Sequence, residues 1–233
     1  MAPVIVAHRG DAARYLENTL AAFSSAADLG LRHVELDVQL TSDGVPLVLH
    51  DASAGRTHGV NVDVRHHSFV ALARLGLFDP ASFPNPIPQL DEFVTWMTGQ
   101  PHMHAFVEIK KESLHVYGRR RVLATVERDI EAIRERATLI SYDARVLALA
   151  RRNGWPVGYV LETMSARWRG IAERLAPEFL FAEVDHLLRA GKLWPGAWQW
   201  AAFEVETTKS ATALSALGVR YLETMNPALF KLL

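Results

Sequence analysis

Cysteine is absent from the 233 residues. That removes disulfides, thiolate metal sites and cysteine nucleophiles, and it fits a reducing compartment. Long hydrophobic runs are missing as well. No stretch approaches the ~18 apolar residues of a bilayer-spanning helix, and Met1 leads almost directly into Val4-Ile5-Val6-Ala7 without a basic leader region. The expectation is a cytoplasmic protein without stable membrane insertion. Nor is there a surplus of charge of one sign, since 25 Lys and Arg stand against 26 Asp and Glu, a formal net charge of −1. General binders of nucleic acid or anionic membranes carry excess Lys and Arg, so no nucleic-acid partner is expected and any phosphate site has to be local.

What the chain does have is apolar residues, 49 % of the total against 22 % charged, enough for a sizeable core. Short β-rich runs alternate with segments of helical period, the pattern of βα units around a parallel sheet. The strand candidates are Val4–His8, His33–Val38, Pro46–His50, Ala105–Lys110, Thr138–Tyr142, Val157–Leu161, Phe179–Val184, Ala201–Glu206 and Arg220–Thr224. A closed barrel needs one fewer, and Phe179–Val184 is the expected outsider. Helices are predicted at Thr19–Leu29, Val122–Ile133, Asp143–Arg152 and Ser210–Leu217, three of them ending at or near a glycine. Two places break the alternation. The second and third strands are joined by about eight residues, too few for a helical crossover, so the second helix is missing. The stretch from Asp51 to Pro88 is long and includes Phe83-Pro84-Asn85-Pro86-Ile87-Pro88, as a functional insertion or small subdomain would.

In parallel β/α folds the strand C-termini build the active rim, and polar residues gather at those ends here. The first strand ends in His8-Arg9-Gly10, the second carries Glu35 and Asp37, the third ends in His50-Asp51, and the fourth ends in Glu108-Ile109-Lys110. Glu35 and Asp37 are two apart on a strand and share a face. Three carboxylates converging with Glu108 require cations, because buried like charges repel. An all-oxygen set suits a hard divalent ion, Mg²⁺ or Ca²⁺. His8 and His50 can divide acid and base work near neutral pH. Arg9 offers a planar fork and Lys110 a point charge to a phosphate. Glu17 and Asn18 lie just past the first strand, where Asn18 is either an N-cap or a ligand holder. His58, His66, His67, His102, His104 and His115 read as surface or loop residues, and Trp194, Trp198 and Trp200 as packing.

Ala7-His8-Arg9-Gly10, Glu17-Asn18-Thr19, Val34-Glu35-Leu36-Asp37-Val38, Thr41-Ser42-Asp43-Gly44 through His50-Asp51, Ile87-Pro88-Gln89-Leu90-Asp91-Glu92 and Val107-Glu108-Ile109-Lys110 occur in an order that resembles the glycerophosphodiester phosphodiesterase family. The resemblance implies an α/β fold, a TIM-like (β/α)8 barrel formed by the whole chain, 1–233, with a small inserted subdomain at about 52–88 after the third strand. It implies one divalent cation, Mg²⁺ or Ca²⁺, on Glu35, Asp37 and Glu108. His8 and His50 would be general acid and base, and Arg9 and Lys110 would hold the phosphate of a small-molecule glycerophosphodiester, with Glu17, Asn18, Asp51 and Glu206 as accessories. The products implied are glycerol 3-phosphate and an alcohol. The second half departs from the family pattern at Ser141-Tyr142-Asp143, Phe203-Glu204-Val205-Glu206 and Thr224-Met225-Asn226-Pro227, positions that bear on the leaving alcohol rather than on phosphoryl chemistry. Two other readings compete: a non-catalytic metal- or phosphate-binding barrel, and a metal-independent enzyme forming a Schiff base on Lys110.

Overall fold

The computed structural model of the chain describes residues 2–230. Nine strands occur among them: β1 (Val4–His8), β2 (His33–Leu40), β3 (Pro46–Val48), β4 (His104–Ile109), β5 (Ala137–Ser141), β6 (Val157–Val160), β7 (Phe179–Glu183), β8 (Gln199–Phe203) and β9 (Tyr221–Thr224). Eight are parallel and close into a barrel in the order β1-β2-β4-β5-β6-β7-β8-β9, with β9 returning to β1. The strand outside the barrel is β3, not the Phe179–Val184 segment. β7 is fully integrated, pairing with both β6 and β8. β3 is antiparallel to β2, Val48 opposite Val38 and Pro46 opposite Leu40. A hairpin turn at 41–45 therefore replaces the missing helix, since antiparallel neighbours need no crossover.

Side chains alternate along each barrel strand between two apolar environments. Val34, Leu36, Val38, Ala105, Val107 and Ile109 face outward into the layer between sheet and helices. Inward, Val6, Phe106, Ile140, Val160, Phe181 and Ala201 fill the barrel at mid-height. Gly158 makes room there, because a Cβ at that position would come within 2.8 Å of both Ile140 and Phe181. Above this plug the inward positions turn polar, with His8, Asp37, Glu108 and Glu223. The β/α alternation thus delivers a dry floor beneath a charged mouth.

The helices that follow the strands include α1 (Leu20–Asp28), whose N-cap is Thr19 rather than Asn18. In the segment between β3 and the helix Leu90–Thr98 lie α2 (Gly55–His58), the short helix Val64–His66 and α3 (Phe69–Ala73). This segment has an apolar cluster of its own, with Leu49, Ala54, Val64, Leu72, Leu77 and Ile87 packed together. His58, expected at the surface or in a loop, closes the helix α2 and is buried there, its Nε2 3.0 Å from the Asn85 carbonyl.

At the opposite end of the barrel, His33 and His104 pack with Phe106 and Tyr221. His104 is a strand residue bonded to Thr138 Oγ1 at 2.9 Å, not a loop residue. Burial pushes both imidazoles down to about 4. Because their folded values lie below the ordinary 6.5, stability associated with them is present above about pH 6.5 and is lost as pH falls towards 4. The melting temperature is expected to decline over that window, and His33→Phe should flatten the decline. An unchanged slope in the variant would remove His33 from the explanation.

Candidate active site

The mouth is assembled from ends of neighbouring strands. Glu35 and Asp37 on β2 and Glu108 on β4 are 1 %, 1 % and 8 % exposed, and β2–β4 register sets Asp37 directly beside Glu108. One oxygen from each of the three lies within 4.8 Å of the others, close enough for a common ion. Lys110, just past β4, bridges two of them, its Nζ 3.1 Å from Asp37 Oδ1 and 3.0 Å from Glu108 Oε1. Arg9 Nε stands 3.1 Å from Asp37 Oδ2. Asn18 completes the set around Asp37: its Nδ2 donates to Oδ2 at 2.9 Å, and its Oδ1 accepts from the Asp37 N–H at 3.3 Å.

Arg9 and Asn18 both take left-handed backbone conformations, with φ of 57° and 58°. Such conformations are uncommon for residues with side chains and mark places where the surroundings impose geometry. Gly10 next door explains why a glycine follows. Its φ is +83°, and a Cβ there would sit 2.6 Å from the backbone of Ala22 in α1.

His50 reaches the same mouth by the hairpin. Past β3 the Leu49 N–H donates to the Asp37 carbonyl at 3.0 Å, returning the chain to the rim. His50 Nδ1 lies 2.6 Å from Asp51 Oδ1, which fixes the proton on Nδ1 and leaves Nε2 free. Asp51 accepts from Arg56 Nε at 2.7 Å, and Arg56 also donates to both oxygens of Glu17. Glu17 in turn accepts from Arg9 at 3.1 Å. Arg56, on α2, thus ties the inserted segment to Arg9 through Glu17. Sequence inspection passes it over, since one arginine in a polar loop carries no local signal.

Glu223 is the second residue not foreseen. It is 3 % exposed, and its Oε1 lies 3.3 Å from His8 Nε2; Glu35 Oε2 is 3.8 Å from the same nitrogen. The available signal was parity: Glu223 is two residues from Tyr221, so both face the barrel interior. Tyr142, Phe203 and Glu204 line the cavity alongside His8, Arg9, His50, Glu108 and Lys110, over an open space of about 470 Å³. Glu206 lies outside that lining, accepting from the Met225 N–H at 3.0 Å.

The electrostatics divide the acids. Burial acts on all of them, but Lys110 and Arg9 hold Asp37 well below the usual carboxylate range. Glu35 is pushed well above it by burial and by Asp37 and Glu223, and Glu223 is raised by burial and by Glu108. Glu108 is also raised by burial, against the pull of Lys110. With all four carboxylates ionised, the site would carry more negative charge than Arg9 and Lys110 can balance, which is why burial and mutual repulsion raise three of them. A hard divalent ion on the oxygen set of Glu35, Asp37 and Glu108 fits that excess and that donor chemistry. His8 is pushed down to about 3, first by burial and then by Arg9. Lys110 is held charged, raised by Asp37 and Glu108 against the opposing effect of burial.

The chain matches the glycerophosphoryl diester phosphodiesterase family over residues 8–180. It belongs to that family. A glycerophosphodiester phosphodiesterase of Caldanaerobacter subterraneus subsp. tengcongensis is 51 % identical over 57 residues, 24 % of each chain. One from Bacillus altitudinis is 32 % identical over 150 residues, 62 % of this chain and 60 % of that protein. The matched region thus spans less than two thirds of these relatives' length. Among solved structures, an Oleispira antarctica phosphodiesterase in complex with sn-glycerol 3-phosphate superimposes with a TM-score of 0.79 at 22 % identity, covering 97 % of this chain and 94 % of that one. A Thermotoga maritima glycerophosphodiester phosphodiesterase gives 0.76 at 22 % identity, with 99 % and 97 % covered. At that identity the likeness establishes the fold.

Proposed function

We propose that the protein hydrolyses a small-molecule glycerophosphodiester to glycerol 3-phosphate and an alcohol, with one divalent cation, Mg²⁺ or Ca²⁺, held by Glu35, Asp37 and Glu108. The observation that carries the reading is the meeting of that oxygen set with Arg9, Lys110 and two histidines in one mouth. The bound ion would supply Lewis-acid polarisation of a phosphoryl oxygen. Arg9 and Lys110 offer fixed positive charge to the remaining oxygens, and preorganised charge in a water-poor site is worth more than in bulk solvent. Asp37 aims both cations, because it contacts each at 3.1 Å.

His8, neutral at physiological pH, suits the base that takes a proton from water or from a substrate hydroxyl. His50, whose imidazolium Asp51 would stabilise through Nδ1–H, suits the acid: with Nε2 also protonated, it passes that proton to the departing alkoxide and returns to the neutral ring. Lys110 is a poor Schiff-base nucleophile, since that role needs a neutral amine and both of its acidic neighbours favour the ammonium. The family relatives named glycerophosphodiester phosphodiesterase support the substrate class.

The decisive assay is release of alcohol from glycerophosphocholine, with EDTA and with added Mg²⁺ or Ca²⁺. Turnover that stops with chelator and returns with metal is expected. Metal binding without turnover on this or any other glycerophosphodiester would favour the non-catalytic barrel instead.

A further inference from the structure

Large apolar side chains that are exposed one at a time are ordinary on any protein surface. Their distribution here is one-sided. Among the described residues they are Tyr15, Val70, Leu75, Val116 and Leu229, between 39 % and 58 % exposed. Each lies in a segment that leaves a strand at the rim: Tyr15 between β1 and α1, Val70 and Leu75 in the segment after β3, Val116 in the helix Lys111–Tyr117 after β4, and Leu229 after β9. None lies in the segments that lead into the strands at the other end of the barrel.

Beside Val116 the chain continues into Arg119-Arg120-Arg121, the first turn of the helix Arg119–Ile130. Arg119, Arg120, Arg121 and Arg145 converge on one open groove with Tyr117 and Leu149. Arg119 is engaged by Asp143, at 2.6 Å, whereas Arg120, Arg121 and Arg145 have no carboxylate within 4.0 Å among the described residues. The guanidinium of Arg121 sits 5.3 Å over the Tyr117 ring. Tyr117 also donates its hydroxyl to the Arg65 carbonyl, which joins this helix to the segment carrying Val70 and Leu75. The net charge of −1 offers no long-range attraction for a polyanion, but three guanidiniums without a carboxylate partner, two of them a few residues along the chain from the exposed Val116, form a local surface of mixed character.

We propose that this rim face docks on an anionic lipid bilayer, with Val70, Leu75 and Val116 entering the headgroup layer and Arg120, Arg121 and Arg145 meeting lipid phosphates. Apolar contact combined with basic charge is the signature of interfacial attachment, and basic side chains meeting lipid phosphates supply the charge complementarity. Attachment in this orientation would turn the catalytic mouth towards the lipid headgroups. The inference uses no catalytic residue, so it stands or falls separately from the proposed reaction.

Co-sedimentation of the full chain with vesicles of phosphatidylcholine, with and without phosphatidylglycerol, tests it. Binding to the anionic vesicles is expected to exceed binding to the neutral ones about tenfold or more and to weaken with salt. The double variant Arg120→Glu/Arg121→Glu should abolish the preference, and Val70→Glu/Val116→Glu should weaken binding at any salt concentration. Both should keep wild-type melting temperature and wild-type turnover of a water-soluble diester, which reports on folding. No sedimentation, equal sedimentation with both vesicle types, insensitivity to the substitutions, or equal competition by soluble polyphosphate would each overturn the proposal.

Discussion

Replacing His50 by alanine is expected to lower kcat on an alkyl glycerophosphodiester by roughly 10²–10⁴-fold, the usual contribution of a positioned acid or base. The same variant should lose far less on bis(p-nitrophenyl) phosphate, because p-nitrophenolate departs without needing a proton. His8→Ala should suppress both reactions, since the nucleophile needs its base whatever leaves. The distinction rests on geometry. His50 Nδ1 is committed to Asp51 at 2.6 Å, and Arg56 holds that carboxylate, so one nitrogen faces the cavity with a charged partner behind it. His8 is enclosed and kept neutral by burial and by Arg9. Steady-state kinetics on the two substrates, at saturating metal, reads out the assignment. A loss in His50→Ala that is equal on both substrates would reverse or dissolve it.

Two substitutions in the acidic set should shift stability in opposite directions while both end turnover. Asp37→Ala strips the common acceptor from Arg9, Lys110 and Asn18, leaving Lys110 with Glu108 alone and Arg9 with Glu17 alone, at a cost of about 3 kcal/mol. Glu35→Gln removes a carboxylate that, among the described residues, has no charged cation within ion-pair distance: it meets the neutral His8 at 3.8 Å and accepts the Arg9 backbone N–H at 3.3 Å. Its neighbours Asp37 and Glu223 repel it. In chelator, Glu35→Gln should therefore melt above wild type, by roughly 2–4 °C for each kcal/mol of repulsion relieved. Added Mg²⁺ or Ca²⁺ should raise the wild-type melting temperature and leave both variants nearly unmoved. Differential scanning calorimetry with and without metal separates the cases, and a destabilised Glu35→Gln in chelator would contradict this electrostatic account.

Period-two parity alone places Glu35 with Asp37 and Glu108 with Lys110, because a strand offers only two faces and a buried carboxylate pair needs a reason. Strand direction was less accessible. Pro46–Val48 reads like its neighbours, and only the shortness of 39–46 hints that it turns back. Phe179–Glu183 is too apolar to alternate visibly, since both of its faces are covered, so it resembled a weak strand while being an inner one. Glu223 hid for the opposite reason: a single acid near the C-terminus reads as a solvated strand end. Arg56 depends wholly on tertiary placement, being 39 residues from the Glu17 it clamps.

The inserted segment enters and leaves the barrel through one clasp. The Val48 N–H donates to the Pro88 carbonyl at 2.8 Å, and Leu47 bridges to Gln89. Chain ends held that close make the stretch an exchangeable cassette: its length can change at little entropic cost, as closure entropy rises only slowly with loop length. The barrel frame would tolerate a different cassette provided it supplied a cation to Asp51 and Glu17. The part free to change is the stretch beyond Asp51, since His50 and Asp51 sit just inside the clasp and belong to the mouth.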